Sequence, residues 1–128
     1  MKDILTGLTA VELKRVGLPL DQAFTLPPNA YIRDDLFEQE SERIFRTSWL
    51  PLARVDQVAK PGDFLSMDLL GQPVMIVHGQ DGEIRVMSRT CLHRAAQVAE
   101  GNGNRKLFTC PYHSWSYDTA GQLVRAPL

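Results

Sequence analysis

Two short segments, Cys91-Leu92-His93 and Cys110-Pro111-Tyr112-His113, each offer one thiolate and one imidazole, and sixteen residues separate His93 from Cys110. The alternating order Cys, His, Cys, His lets each segment give one sulfur and one nitrogen ligand. A binuclear iron–sulfur core with two cysteines on one iron and two histidines on the other asks for that set. The chain has only two cysteines and three histidines, and four of these five fall within the 23 residues from Cys91 to His113. A zinc finger fits less well, because its cysteines usually pair first and its histidines follow as a second pair. A structural zinc domain stays as the chemical alternative. The remaining histidine, His78, ends the apolar run Val74-Met75-Ile76-Val77 and reads as a strand-end residue without a metal.

The two ligand types divide the chemistry. Thiolates are strong anionic donors that stabilise ferric iron, whereas neutral imidazoles favour reduction of the iron they hold. The transferred electron is therefore expected on the histidine side. A histidine bound through one ring nitrogen keeps the other for a hydrogen bond or a proton.

Short runs punctuated by turn residues must carry these loops. They read as strands near 49–54, 63–69, 73–78, 83–88, 106–109, 114–117 and 122–125, a mainly β and antiparallel pattern. Glycine or aspartate stands at turns in Pro61-Gly62-Asp63, Leu70-Gly71-Gln72, Gln80-Asp81-Gly82 and Thr119-Ala120-Gly121, the last two reading as tight hairpins. Gly101-Asn102-Gly103-Asn104 reads as a turn. Upstream, Asp34-Asp35 stand at an N-cap ahead of Leu36, Phe37, Ile44 and Phe45, one apolar face of a helix over about 34–47. Leu5, Leu8, Val11, Leu13 and Val16 suggest a short helix or a disordered arm ending at Gly17 and Pro19.

At 128 residues the chain has the length of one domain. A net charge of −1 with 23% charged residues gives no basic field for nucleic acid. No secretory pattern and no apolar run of roughly 20 residues is visible, so a cytoplasmic protein is expected. With both cysteines used as ligands, none is left for a disulfide, in keeping with a reducing compartment.

Cys91-Leu92-His93-Arg94, Cys110-Pro111-Tyr112-His113-Ser114-Trp115, Tyr117-Asp118 and Gly121-Gln122-Leu123 together resemble the Rieske 2Fe-2S domain at the N-terminal part of aromatic ring-hydroxylating oxygenase alpha (large) subunits. The resemblance extends upstream through Tyr31-Ile32, Leu36-Phe37-Glu38, Arg43-Ile44-Phe45, Trp49 and Pro61-Gly62-Asp63-Phe64, and residues 1–27 match nothing. It implies a Rieske-type antiparallel β-sandwich with a cluster-binding subdomain and an N-terminal helix. The implied division is an arm at 1–33 and the Rieske domain at 34–128, with the cluster-binding part at about 88–118. Cys91, His93, Cys110 and His113 are the implied ligands of the 2Fe-2S cluster. Tyr112 stands where respiratory Rieske proteins carry a disulfide cysteine, and Ala95 and Ser114 stand where the family usually has glycine.

The resemblance also implies a low potential within the roughly −150 to +300 mV of Rieske centres. Trp115 occupies the place of a serine hydroxyl in high-potential proteins, and there is no loop disulfide. Tyr117 reads equally as a donor near a ligand sulfur or as a core tyrosine with its hydroxyl satisfied elsewhere, Trp115 reads as a packed lid, and Arg94 as a docking-rim charge or a solvated side chain. The family's mononuclear iron needs two histidines and a carboxylate in a separate catalytic domain. With only His78 left, no such site can be built here, so no catalytic residue is assigned. The chain ends at Ala126-Pro127-Leu128, where the family continues, implying an excised domain or a natural truncation. The implied role is one-electron transfer from a ferredoxin or flavin reductase to the iron of a catalytic oxygenase domain, in the same or a neighbouring subunit. A stand-alone Rieske ferredoxin is the alternative.

Overall fold

The structure, a computed structural model, describes residues 8–127. Leu5 of the first apolar pattern and the terminal Leu128 lie outside the described residues. The chain divides into two units at Leu50/Pro51, later than the 33/34 boundary expected from the sequence.

In the first unit, α1 (Ala10–Val16) starts on a reciprocal cap: the Glu12 N–H donates to Thr9 Oγ1 at 3.2 Å and the Thr9 N–H to Glu12 Oε2 at 2.7 Å. It buries no residue. The second helix, α2 (Asp34–Arg43), gives way to a 3₁₀ turn at Phe45–Thr47. Asp34 and Asp35 do not cap it. Arg33 holds the cap position, and Asp35 pairs with the Arg33 guanidinium from within the first turn. The expected apolar face is mostly exposed, since Leu36 is buried but Phe37 and Ile44 are not.

The second unit carries seven strands in two antiparallel sheets. The larger has the order β3-β2-β1-β4, built from β1 (Asp63–Leu69), β2 (Gln72–His78), β3 (Ile84–Ser88) and β4 (Asn102–Asn104). The smaller is β5-β6-β7, from β5 (Leu107–Thr109), β6 (Ser116–Asp118) and β7 (Leu123–Arg125). The expected strand at 49–54 is not a strand. Pro51 has no N–H to give to a ladder, which weakens pairing there.

The tightest hairpin is not one of the two expected. It is Leu70-Gly71 between β1 and β2, with φ of 49° and 76°, the paired positive φ of a two-residue hairpin turn. The turns at 79–83 and 119–122 are longer. The Gln80 N–H donates to Thr119 Oγ1 at 3.0 Å and so joins the two turns.

Asn102-Gly103-Asn104, expected as a turn, is β4. It pairs with β1 in the register Asp63–Asn104, Phe64–Gly103 and Leu65–Asn102. A Cβ on Gly103 would lie 3.3 Å from the Phe64 ring, so glycine permits the close approach that completes the pairing.

Between the sheets lies one apolar cluster: Phe64, Met75, Val77, Val98, Ala99, Phe108 and Tyr117, together with both cysteines. Phe64 and Phe108 meet edge to face with centroids 5.3 Å apart, a favoured aromatic geometry. Among the described residues, no helix is long and apolar enough to cross a membrane.

Candidate iron–sulfur site

Two loops of the same construction present the candidate ligands. In the first, the Cys91 N–H donates to Ala96 O at 2.8 Å and the Ala95 N–H returns to Cys91 O at 3.0 Å. In the second, the Cys110 N–H donates to Trp115 O at 2.8 Å and the Ser114 N–H to Cys110 O at 3.0 Å. Each loop thus closes on its own cysteine at the fourth and fifth following residues. To do so the fourth residue turns left-handed: φ is 57° at Ala95 and 59° at Ser114. Glycine adopts this conformation freely and a Cβ makes it unfavourable. The two departures from the family pattern are therefore accommodated by strained dihedrals.

The two cysteines share one buried cluster and the two histidines face each other. Cys91 and Cys110 are buried and form no disulfide, while His93 and His113 are exposed. The two imidazoles face each other with centroids 4.7 Å apart at 63°. Trp115, half-buried, stacks on His93 at 4.8 Å and 9°, and Tyr112 lies against His113 at 3.9 Å. Both rings hold their histidines in orientation. His78 stands apart from this group, its Nδ1 2.8 Å from Val58 O, which is the structural place expected of it.

Tyr117 closes the site from below. Its hydroxyl lies 3.3 Å from Cys91 Sγ and accepts the Leu92 N–H at 3.0 Å. Burial pushes the Cys91 thiol up, yet hydrogen bonds from Tyr117, the His93 backbone and Cys110 bring it below the usual thiol value. Burial and the bond to Cys91 hold the Tyr117 phenol above its ordinary value. The two shifts have opposite sign, so a proton shared between the two groups favours the phenol over the sulfur.

The donor set fits a 2Fe-2S cluster. Two cysteine sulfurs are buried and two imidazoles exposed, and backbone N–H groups of His93 and Arg94 lie near the Cys91 sulfur. Two sulfur and two nitrogen donors supply two protein ligands for each iron of a two-iron core.

A family model described as the Rieske [2Fe-2S] domain matches residues 48–128. The chain belongs to this family. The chain is 46% identical over 103 residues to the biphenyl 2,3-dioxygenase subunit alpha of Rhodococcus jostii, covering 80% of this chain and 22% of that protein. It is 35% identical over 107 residues to the carnitine monooxygenase oxygenase subunit of Acinetobacter baumannii, covering 83% of this chain and 29% of the relative.

Two solved structures share the fold. A quaternary ammonium Rieske monooxygenase, described in connection with carnitine oxidation and inter-subunit electron transfer, superposes with a TM-score of 0.74 at 33% identity over 81% of this chain and 29% of its own. Naphthalene 1,2-dioxygenase from Rhodococcus sp. superposes with a TM-score of 0.71 at 35% identity over 78% of this chain and 23% of its own. The chain thus spans less than a third of the length of these relatives.

One residue beside the site was not singled out from the sequence. Arg89 is buried next to the first loop, but a lone arginine ahead of a cysteine ordinarily reads as a solvated side chain, so only the fold exposes it.

Proposed function

We propose that the chain serves one-electron transfer in an aromatic ring-hydroxylating oxygenase, with Cys91, His93, Cys110 and His113 as the ligands of its 2Fe-2S cluster. When bound, that group supplies a one-electron couple between a diferric and a mixed-valence state. The buried Cys91 and Cys110 would hold one iron as thiolates. His93 and His113 would hold the other, each keeping a second ring nitrogen for a partner's hydrogen bond or for a proton. Trp115 excludes water from the His93 face, and Tyr117 neutralises charge on the Cys91 sulfur.

The donor is a ferredoxin or flavin reductase, and the acceptor is the mononuclear iron of a catalytic oxygenase domain. The inter-subunit electron transfer named for the carnitine-oxidising neighbour supports an acceptor in an adjacent subunit. The cluster-binding part is about 88–118, within the second of the two units. A cytoplasmic setting suits two unpaired cysteines.

The observation that carries this reading is the pair of buried thiols beneath two exposed, facing imidazoles on matched loops. Anaerobically purified protein should show a Rieske absorption and low-temperature EPR spectrum with equal iron and acid-labile sulfide. His93→Ala or His113→Ala should abolish the signal. A colourless chain after reconstitution, or an unaltered signal in either variant, would remove these residues from the ligand set.

A further inference from the structure

Arg89 is the one charged side chain buried among the described residues, 7% exposed. It sits at the foot of the first ligand loop. Its N–H donates to Pro73 O of β2 at 3.1 Å and its C=O accepts the Val98 N–H at 2.8 Å, directly below the Thr90–Gln97 bridge. Its side chain reaches further. Nη1 donates to Ala99 O at 3.3 Å, on the returning arm of the loop, and Nη2 to Asp68 Oδ1 of β1 at 2.9 Å. Nε is buried with no partner.

A guanidinium taken out of water is unfavourable unless well paired. The carboxylate that answers this one belongs to Asp68, whose side chain is 68% exposed, so solvent screens much of its attraction. On its inner side the charge is only part-compensated. It lies two residues before Cys91, and Ala99, whose carbonyl it holds, packs in the same buried cluster as Cys91 and Cys110. In that low-dielectric setting a fixed charge is felt more strongly than at the surface.

Accepting the ligand assignment above, we propose that Arg89 is a positioning residue that clamps both arms of the first ligand loop to β1, and whose fixed charge raises the midpoint potential of the cluster. Reduction adds one negative charge to the cluster, and a nearby cation that is only part-compensated favours the reduced form. The two effects come from one side chain and separate by substitution.

The test is an EPR-monitored redox titration of the anaerobically reconstituted chain. Arg89→Met should shift the midpoint down and Asp68→Asn should shift it up, while the exposed control Lys60→Gln leaves it in place. Arg89→Lys keeps the charge without the planar fork, so it should lose iron faster with little change in midpoint. Unchanged midpoints in Arg89→Met and Asp68→Asn, shifts of the same sign, or an equal shift in the control would overturn the role. If Arg89→Met does not hold a cluster, the upward shift in Asp68→Asn and faster iron loss in Arg89→Lys support the proposal, and the absence of either overturns it. A missing Rieske signal in the unsubstituted chain overturns the ligand assignment itself, which distinguishes the two failures.

Discussion

The Tyr117 hydroxyl lies 3.3 Å from Cys91 Sγ and also accepts the N–H of Leu92 at 3.0 Å. One phenol therefore fixes the first loop at both its sulfur and its backbone. Tyr117→Phe removes both bonds and strands a part-buried N–H, a loss of about 1–3 kcal/mol. The expected outcome is a lower thermal midpoint and a lower redox midpoint, with the EPR signal retained. An unchanged redox midpoint would show that the phenol does not reach the cluster's charge.

The midpoint itself should fall at the low end of the Rieske range. Trp115 offers stacking to His93 and no side-chain hydroxyl, and neither cysteine is in a disulfide. A value clearly above about +100 mV in redox titration would contradict this. Trp115→Ala should shorten the lifetime of the cluster under air, read as faster bleaching of visible absorption.

The left-handed dihedrals at Ala95 and Ser114 make an unusual prediction, that replacement by glycine stabilises. A left-handed non-glycine residue costs about 1–2 kcal/mol, offset in part by roughly 0.5–1 kcal/mol of glycine entropy. Ala95→Gly and Ser114→Gly should each raise the unfolding free energy by up to about 1 kcal/mol, read as a higher urea midpoint with an unchanged slope. Ser114→Val, with a branched Cβ at φ of 59°, should lower it.

The hydrogen bonds of Arg85 and the Glu83 N–H hold Asp81 at about 2, below its ordinary 3.8. A carboxyl depressed on folding contributes stability above its unfolded value and loses it as pH falls through the folded one. Asp81→Asn should therefore melt earlier than the unsubstituted chain at pH 7. The difference should close between about pH 4 and pH 2, as followed by thermal melts across acid pH.

Phe108 is fully buried against Phe64, between the sheets. Phe108→Ala should cost about 3–5 kcal/mol in chemical denaturation. Because the two cysteines belong to the same cluster, iron content should fall with it.

How much of this was legible in the sequence follows from what each signal depends on. The two loops were legible because two residue types, rare in this chain, cluster at fixed spacing, and the structure gives both loops the same backbone construction. Strands β1, β2 and β3 were legible from apolar runs between turn residues. β4 was not, because Asn102-Gly103-Asn104 has poor strand propensity and owes its pairing to the exposed edge of β1 and the room beside Phe64. The 49–54 segment misled in the opposite sense, its Trp49 and Leu50 suggesting a strand that Pro51 interrupts. Helix α2 was found, but its apolar pattern implied a buried face that Phe37 and Ile44 do not make. Arg89 escaped notice because burial of a single charge leaves no periodic trace.

Cys91 and Cys110 are packed among Phe64, Val77 and Phe108, so the metal's handles are also structural timber. Metal binding of this kind is coupled to folding, so losing the iron should register as lost stability of the core as well as lost colour.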